Sequence, residues 1–240
     1  MEGEDPMYKR VLLKLSGEAL ASTESTFDAE KIRVIAEELK LVVARGIQVA
    51  IVVGGGNIIR GKFAEKMNLP RVEADKMGML GTMINALALM GGFEQNGLHA
   101  YMQSAVDCPK VCDLADNRKA VEKMENGYIV VYGGGTGNPY FSTDTGAALR
   151  AAEIGADAIL MAKNGVDGVY SADPDTHPDA VKFDELTYQD ILDKQLKVID
   201  ATAAALCIDA NIDSVVFNMA DIHNISRVID GEKIGTVIRR

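Results

Sequence analysis

Four segments, each directly after an apolar stretch, carry the residues most able to do chemistry. They read KLSGEAL (14–20), GGGNIIRG (54–61), GGGTGNPYFSTD (133–144) and AKNGVDGVYSADP (162–174). Glycines let a backbone approach an anion closely, and the N-terminus of a following helix presents free N–H groups with partial positive charge. Together with Lys14 and Arg60, these segments predict a site for a ligand that carries several phosphates.

The second segment matches a phosphate-binding loop at every fixed position but one. Gly56 to Lys62 fits G-x-x-x-x-G-K-[ST] until Phe63, which replaces the hydroxyl that would hold magnesium. The dinucleotide pattern G-x-G-x-x-G also fails, and neither G-x-S-x-G nor H-E-x-x-H occurs in the chain. We therefore interpret the glycine runs as a phosphate-binding site of a different kind. The failed and absent motifs argue against nicotinamide enzymes, serine hydrolases and zinc proteases.

A lysine, an arginine and several glycine-rich turns suit phosphoryl transfer, in which catalysis is mostly positioning and charge neutralisation. Lys14, at the end of the first predicted strand, would point at the transferred phosphoryl group or would be a solvated edge lysine. Asp144 would orient that lysine or bound Mg²⁺, or would be an ordinary carboxylate at a helix start. The three histidines (His99, His177 and His223) have no second ligand at metal spacing, so we expect them to be structural or exposed.

The surrounding pattern predicts an α/β fold. Aliphatic runs alternate with helical-period segments, which is typical of an open, mainly parallel sheet covered by helices on both faces. The predicted strands are residues 10–15, 48–53, 99–102, 128–132, 158–162 and 214–217, and the predicted helices are 31–45, 75–89, 118–125, 143–154, 186–193, 200–209 and 222–228. Ligands of such sheets collect beyond the carboxyl ends of the strands, where the four segments lie.

Composition predicts one cytoplasmic domain over residues 1–240, with residues 1–7 as a flexible N-terminal extension. No linker divides the chain, and a formal net charge of −10 argues against a nucleic-acid partner. Three cysteines without a CxxC pair fit a reducing compartment, and the acidic start MEGEDP shows no secretory signal. Residues 77–93 are uncharged but are interrupted by Thr82 and Asn85, so we predict a buried core helix and no membrane span.

The chain resembles the bacterial uridylate (UMP) kinases, which have the amino acid kinase fold. The resemblance runs from about Tyr8 to Thr236 through YKRVLLKLSGEAL, VVGGGNIIRG, DKMGMLGTMINALAL, GTGNPYFSTDTGAALRAAEIGADAILMAKNGVDGVYSADP, LKVIDATAAAL and VVFNM, and GTGNPYFSTD is highly specific to this family. It implies reversible, ATP-dependent phosphorylation of UMP to UDP in pyrimidine nucleotide and CTP biosynthesis. It also implies ATP and UMP as substrates, Mg²⁺ carried in with ATP without a separate protein metal site, a homohexamer and feedback inhibition by UTP.

The resemblance also assigns roles by position, and the match to a phosphate loop through Lys62 is then coincidence. The residues implied in catalysis are Lys14, Asp144 and Asp200. Those implied in ATP binding are Lys14, Leu15, Ser16, Gly17, Gly56, Arg60, Asn164, Tyr170 and Asp173. Those implied in UMP binding are Gly55, Asp75, Thr136, Gly137, Asn138, Pro139, Tyr140, Phe141, Ser142 and Thr143. Asp200 stands before an Ala-rich helix, so it is equally an ordinary N-cap.

One segment departs from the family pattern, and two other functions stay open. Residues 21–31 read ASTESTFDAEK where many members carry a glycine-rich G-x-G-I-D segment associated with activation by GTP, so the resemblance carries no expectation of that activation. A kinase of the same fold acting on a carboxylate or carbamate is one alternative, but a small amino acid acceptor would want a charged pair that GTGNPYFSTD lacks. A non-catalytic nucleotide sensor is the other, and the presence of Lys14 and Asp144 argues against it.

Overall fold

The computed structural model describes residues 6–59 and 67–240, and a nine-stranded, mainly parallel sheet dominates this part of the chain. The strands of that sheet are β1 (Arg10–Leu15), β2 (Gln48–Val53), β3 (Ala100–Ser104), β4 (Asp113–Leu114), β5 (Ile129–Gly133), β6 (Ala158–Lys163), β9 (Glu185–Thr187), β10 (Asp213–Asn218) and β11 (Thr236–Arg239). Two further strands, β7 (Val169–Tyr170) and β8 (Lys182–Phe183), form an antiparallel pair apart from it.

The sheet order is β4-β3-β5-β2-β1-β6-β10-β11-β9. Every pairing is parallel except that of β10 with β11, so β11 and its parallel neighbour β9 run against the rest. The helices are α1 (Ala29–Ala44), α2 (Arg71–Gln95), α3 (Asn117–Glu125), α4 (Thr143–Ile154), α5 (Tyr188–Asp193), α6 (Ala201–Ala210) and α7 (Asn224–Ile229), and a 3₁₀ turn spans Gly17–Leu20. The predicted fold class is confirmed.

Two apolar cores cover the two faces of the sheet. Helices α1, α2 and α7 pack on one face over the odd-numbered residues of β1, such as Leu13 and Leu15. Helices α3 to α6 pack on the other face, over Leu12 of β1 and Met161 of β6. Because side chains alternate along a strand, Lys14 emerges on the same face as Leu12.

The predicted elements differ from the structure in several places, and the short strands β4, β9 and β11 are absent from the prediction. Residues 185–187 are the edge strand β9, and the helix predicted over 186–193 begins only at Tyr188, because Thr187 and Asp190 form a capping box that sets its start. Helix α2 begins at Arg71, so Asp75 lies in its second turn and not at its head. The predicted buried helix at 77–93 is buried on one side only, since Leu80 and Ile84 are 52% and 48% exposed.

Helix α2 joins the two glycine-rich turns of the sheet through two buried polar side chains. Asn85, fully buried, donates from Nδ2 to the Gly54 carbonyl at 2.6 Å. Thr82 accepts at Oγ1 from the Gly134 amide at 2.8 Å and donates to the Met79 carbonyl one turn earlier. The two polar residues that interrupt the uncharged segment are therefore the ones that fix the turns after β2 and β5. Among the described helices, none is long and apolar enough to cross a membrane.

Replacing Asn85 by alanine should destabilise the protein markedly. The change leaves the buried Gly54 carbonyl without its donor, and we expect the free energy of unfolding to fall by about 1–3 kcal/mol. The matched control is Asn126→Ala, which removes an exposed amide that donates to the Glu122 carbonyl at 2.7 Å. We expect a change within about 0.5 kcal/mol there. Urea denaturation measures both, and equal losses would contradict a fixing role for Asn85.

Candidate active site

An ion pair between Lys14 and Asp144 lies at the carboxyl edge of the parallel strands. The Lys14 Nζ is 2.8 Å from Asp144 Oδ1, and the two side chains are 12% and 17% exposed. Lys14 comes from the end of β1, and Asp144 from the first turn of α4, where the helix dipole favours a carboxylate. The α4 start is set by Ser142, whose Oγ accepts from the backbone amides of Asp144 and Thr145 at 3.0 and 3.2 Å. The geometry thus brings the predicted lysine and carboxylate together.

Asp200 couples the start of α6 to the start of α4. It is the N-cap of α6 and accepts from the Ala203 amide at 3.0 Å. The hydroxyls of Ser142 and Thr145 both donate to its carboxylate. Burial raises the pKa of the Asp200 carboxyl, but the hydrogen bonds from Ser142, Ala203 and Thr145 outweigh it and leave that pKa below its ordinary value. Asp200 is therefore a charged group that holds two helix N-termini together.

A cavity of about 700 Å³ lies between α2, the turns after β2 and β5 and the start of α4, where Ser142 and Thr143 line it directly before Asp144 in the chain. Seven of the ten residues predicted to bind UMP line it: Gly55, Asp75, Thr136, Asn138, Phe141, Ser142 and Thr143. Gly137, Pro139 and Tyr140 belong to the same segment but do not line the cavity. Its size and its mixture of polar and apolar groups are those of a small-molecule site.

Asp75, predicted to accept ribose hydroxyls, already has two donors in this structure. Arg71 Nε lies 2.9 and 2.8 Å from its two carboxylate oxygens, and the Tyr140 backbone amide donates to Oδ2 at 2.7 Å. The Tyr140 bond helps to hold that residue at a φ of 72°, which side-chain-bearing residues adopt rarely. Each carboxylate oxygen can accept more than one bond, so Asp75 keeps some capacity for a ligand.

The loop after β2 requires glycine at Gly55. A Cβ there would lie 2.9 Å from the Gly78 carbonyl of α2. A Cβ on Gly17, in the loop after β1, would likewise lie 2.7 Å from the Gly54 carbonyl. The backbones of the loop after β1, the loop after β2 and helix α2 therefore approach one another more closely than side chains would allow. This close approach places the loop amides near the cavity.

The structure brings together fewer of the residues predicted to bind ATP. Leu15 is buried in the core on the opposite face from Lys14, so only its backbone is at the edge. Asn164 follows β6 and lines a separate cavity of about 350 Å³ beside Met219. Tyr170 lies in β7, where its hydroxyl donates to Asp167 at 2.6 Å, and Asp173 caps the turn that follows. Neither lines the larger cavity.

Of the remaining predicted ATP residues, Ser16 is the N-cap of the 3₁₀ turn after β1, Gly17 is the first residue of that turn, and Gly56 lines the large cavity. Arg60 lies outside the described residues, as do Lys62 and Phe63. Within residues 6–59 and 67–240, no three acidic, histidine or cysteine side chains cluster as a metal site would require.

Three residues near the site were not predicted from the sequence. Arg71 lines the large cavity and pairs with Asp75; a basic residue four positions before a predicted ligand on a helix is the signal that would have found it. Thr145 hydrogen-bonds Asp200. Lys163 ends β6, and the only signal for it is a lysine that closes an otherwise apolar strand.

The sequence model of the amino acid kinase family matches residues 9–218, and the chain belongs to that family. The chain is 54% identical over 233 residues to the uridylate kinase of Pediococcus pentosaceus, covering 97% of each protein. Among solved structures, the UMP kinase from Bacillus anthracis superposes with a TM-score of 0.93 at 41% identity, over 97% of this chain and 96% of that one. The UMP kinase from Ureaplasma parvum gives a TM-score of 0.91 at 38% identity, over 97% and 99%. The resemblance to uridylate kinases is thereby confirmed.

The depressed pKa of Asp200 predicts how its contribution to stability depends on pH. A group whose folded-state pKa lies below its unfolded value, about 3.9 for aspartate, stabilises the fold fully above that value and loses the contribution as pH falls through the folded pKa. Asp200→Asn keeps a side chain able to cap α6 but removes the charge. We expect the variant to be less stable than wild type at about pH 7, and the difference to shrink towards about pH 3. Urea denaturation across this range tests it, and a difference independent of pH would contradict the assignment.

Proposed function

We propose that the protein transfers the γ-phosphoryl group of ATP to UMP, giving ADP and UDP, as a step of pyrimidine nucleotide synthesis. The observation that carries this is a nucleotide-sized cavity, lined by Gly55, Gly56 and residues of the GTGNPYFST segment up to Thr143, which directly precedes the Asp144 that pairs with Lys14. The family and the high identity to a protein named uridylate kinase support the same reaction.

The acceptor makes a strong general base unnecessary. The phosphate of UMP is already an oxyanion, so one of its oxygens attacks the γ-phosphorus while the bond to the bridging oxygen of the β-phosphate breaks and ADP departs. Asp144 is engaged by Lys14 at 2.8 Å, which suits it to positioning the lysine and not to proton removal. We assign Lys14 to the transferred phosphoryl group, where its charge offsets the charge on the equatorial oxygens.

The acceptor cavity offers groups for each part of UMP. Thr136 and Asn138 carry the donors and acceptors that could pair with a uracil edge, and Phe141 offers an apolar ring beside them. Asp75 would accept the ribose hydroxyls by sharing or exchanging its bonds to Arg71 and Tyr140. The loop amides near Gly55 and the α4 N-terminus would receive the phosphate, with Thr143 at its side.

We assign the residues that would bind ATP and its metal ion from the chemistry of their side chains. Mg²⁺ is commonly held by one or two carboxylates together with substrate phosphates, and the described residues offer Asp144 and Asp200 and no larger cluster. These residues fit an ion that arrives with ATP, where it would neutralise phosphate charge. Ser16, Gly17, Gly56, Asn164, Tyr170 and Asp173 stay predictions for the ATP side, as does Arg60. The free thiols of Cys108, Cys112 and Cys207 suit the reducing cytoplasm, where we place the reaction. We propose that a single domain carries it out.

Acceptor specificity is the direct test. We expect the purified protein to release ADP from Mg-ATP with UMP, and far more slowly with CMP, glutamate, aspartate or carbamate; dUMP reports on the ribose contact. We expect Lys14→Ala to lose about 10²–10³-fold in kcat, as when one charge-stabilising group is removed. A coupled assay of ADP measures each acceptor separately.

The alternatives predict different outcomes in the same assay. Turnover with an amino acid or carbamate and not with UMP would keep the fold and overturn the acceptor. Tight nucleotide binding without turnover would favour a sensor. UTP carries the same base and ribose as UMP, so the feedback inhibition that we propose should raise the apparent KM for UMP if it acts through the acceptor cavity.

We also propose that the protein assembles with copies of itself, as a hexamer. Helix α2 leaves an apolar stripe in solvent at helical spacing, with Leu80, Ile84 and Leu87 being 52%, 48% and 36% exposed. A contiguous apolar face of this kind marks an interface more often than a free surface.

A charged substitution on this stripe should break the assembly. We expect wild type to sediment as a hexamer, and Ile84→Glu to sediment as a smaller species because a buried carboxylate without a partner is costly. Leu114→Glu, on the edge strand β4 with 55% exposure, is the matched control and should leave the assembly intact. Sedimentation velocity measures all three, and a monomeric wild type would refute the proposal.

A further inference from the structure

A second lysine, Lys163, lies beside the proposed phosphoryl-transfer centre and has no role in the reaction described so far. It is the last residue of β6, which pairs with β1 in parallel, and Lys14 lies opposite Met161 in that pairing. Met161 belongs to the core under α4 and α6, and Lys163 is two residues further along the strand. Side chains two apart share a face, so Lys163 and Lys14 emerge on the same face of neighbouring strands, at the same edge.

The ammonium group of Lys163 is poorly compensated. Its Nζ donates to the Val198 carbonyl at 3.3 Å, a long bond, and none of the described carboxylates pairs with it, whereas Asp144 is taken by Lys14. Burial, and then the positive charge of Lys14, lower the pKa of Lys163, and Asp144 only partly opposes them. A partly buried cation with two donors that find no partner among residues 6–59 and 67–240 favours the arrival of an anion, because an anion restores both its charge balance and its hydrogen bonds.

The order of the strands indicates which part of the substrates this lysine meets. The acceptor cavity is built by the turns after β5 and β2, Lys14 follows on β1, and Lys163 comes next on β6. Neighbouring strands are about 4.8 Å apart, so the three positions step along the edge in the order acceptor, Lys14, Lys163. In-line transfer places acceptor, transferred group and leaving group in one row. Lys163 therefore lies on the side of the leaving group.

We propose that Lys163 is a further catalytic residue, whose ammonium group contacts the β-phosphate of the departing ADP. When the bond from the γ-phosphorus to the bridging oxygen breaks, the electron pair stays on that oxygen, and the Lys163 N–H donors stabilise the new charge. This inference rests on the proposed kinase reaction. The proposal also gives the Val198 carbonyl a role, because its hydrogen bond with Lys163 holds the lysine side chain at the carboxyl edge of the sheet before ATP binds.

Lys163→Met removes the charge while keeping a stem of similar length. We expect kcat with UMP and Mg-ATP to fall by about 10²–10³-fold, with the KM for UMP changed by less than about threefold. We expect ADP to bind more weakly and UMP to bind as in wild type, measured by calorimetry. Lys163→Arg should recover part of the lost kcat because it restores a cation. The control is Lys197→Met, an exposed lysine in the segment that carries Val198, which should behave as wild type.

The outcomes separate this inference from the proposed function. A wild type without UMP turnover overturns the function, whereas turnover and ADP affinity that Lys163→Met leaves unchanged overturn the inference. If the methionine variant fails to fold, Lys163→Gln replaces it, since glutamine can still donate to the Val198 carbonyl but carries no charge. Equal kcat values for Lys163→Gln and Lys163→Arg would show that the charge is not used and would overturn the inference.

Discussion

The site depends on a buried polar contact between helix α2 and two glycine turns. Asn85 holds the Gly54 carbonyl and Thr82 holds the Gly134 amide, and both side chains lie in an otherwise apolar interface. Such groups are costly to bury unless they are paired, so the helix can dock in only one register along its axis. That register sets the position of Asp75 two to three turns earlier on the same helix, and with it one wall of the acceptor cavity.

The other wall depends on the starts of α4 and α6. Asp200 accepts from Ser142 and Thr145, and Ser142 in turn caps α4, so the two helix N-termini are joined through one carboxylate. Asp144 is carried on the first turn of the helix thus fixed, and it meets Lys14 from the adjoining strand end. Most polar groups around the proposed reaction centre are already paired, which keeps reorganisation small when charge moves.

The sequence predicted the parts of this arrangement that follow from local chemistry. Long apolar runs located the central strands, and α4 was placed correctly because Gly155, with a φ of 62°, ends it in the left-handed conformation that glycine allows. Lys14 and Asp144 were expected at one edge because parallel strands end there. The strands β9 and β11 were missed since they are short and lie at the margin of the sheet, far from each other in sequence. Arg71 was missed because the predicted helix began only at residue 75, whereas α2 begins at Arg71 and brings it one turn before Asp75. Lys163 was missed because it closes an ordinary apolar strand, and the sequence does not show the register that places it near Lys14.

A chain with a negative net charge can bind polyanions because the interaction is dominated by charges that lie close to the ligand and are poorly solvated. The formal net charge of −10 is spread over the whole chain, mostly on exposed carboxylates whose influence is screened beyond about 8–10 Å at physiological salt. Lys14 and Lys163 lie partly buried at one strand edge, where the effective dielectric is lower and each interaction with a phosphate is stronger. The carboxylates beside them are committed, Asp144 to Lys14 and Asp200 to hydroxyls and an amide. The electrostatic field at the carboxyl edge of the sheet therefore comes mainly from the lysines and the helix N-termini. The net charge of the chain affects the rate at which substrates approach more than the affinity with which they bind.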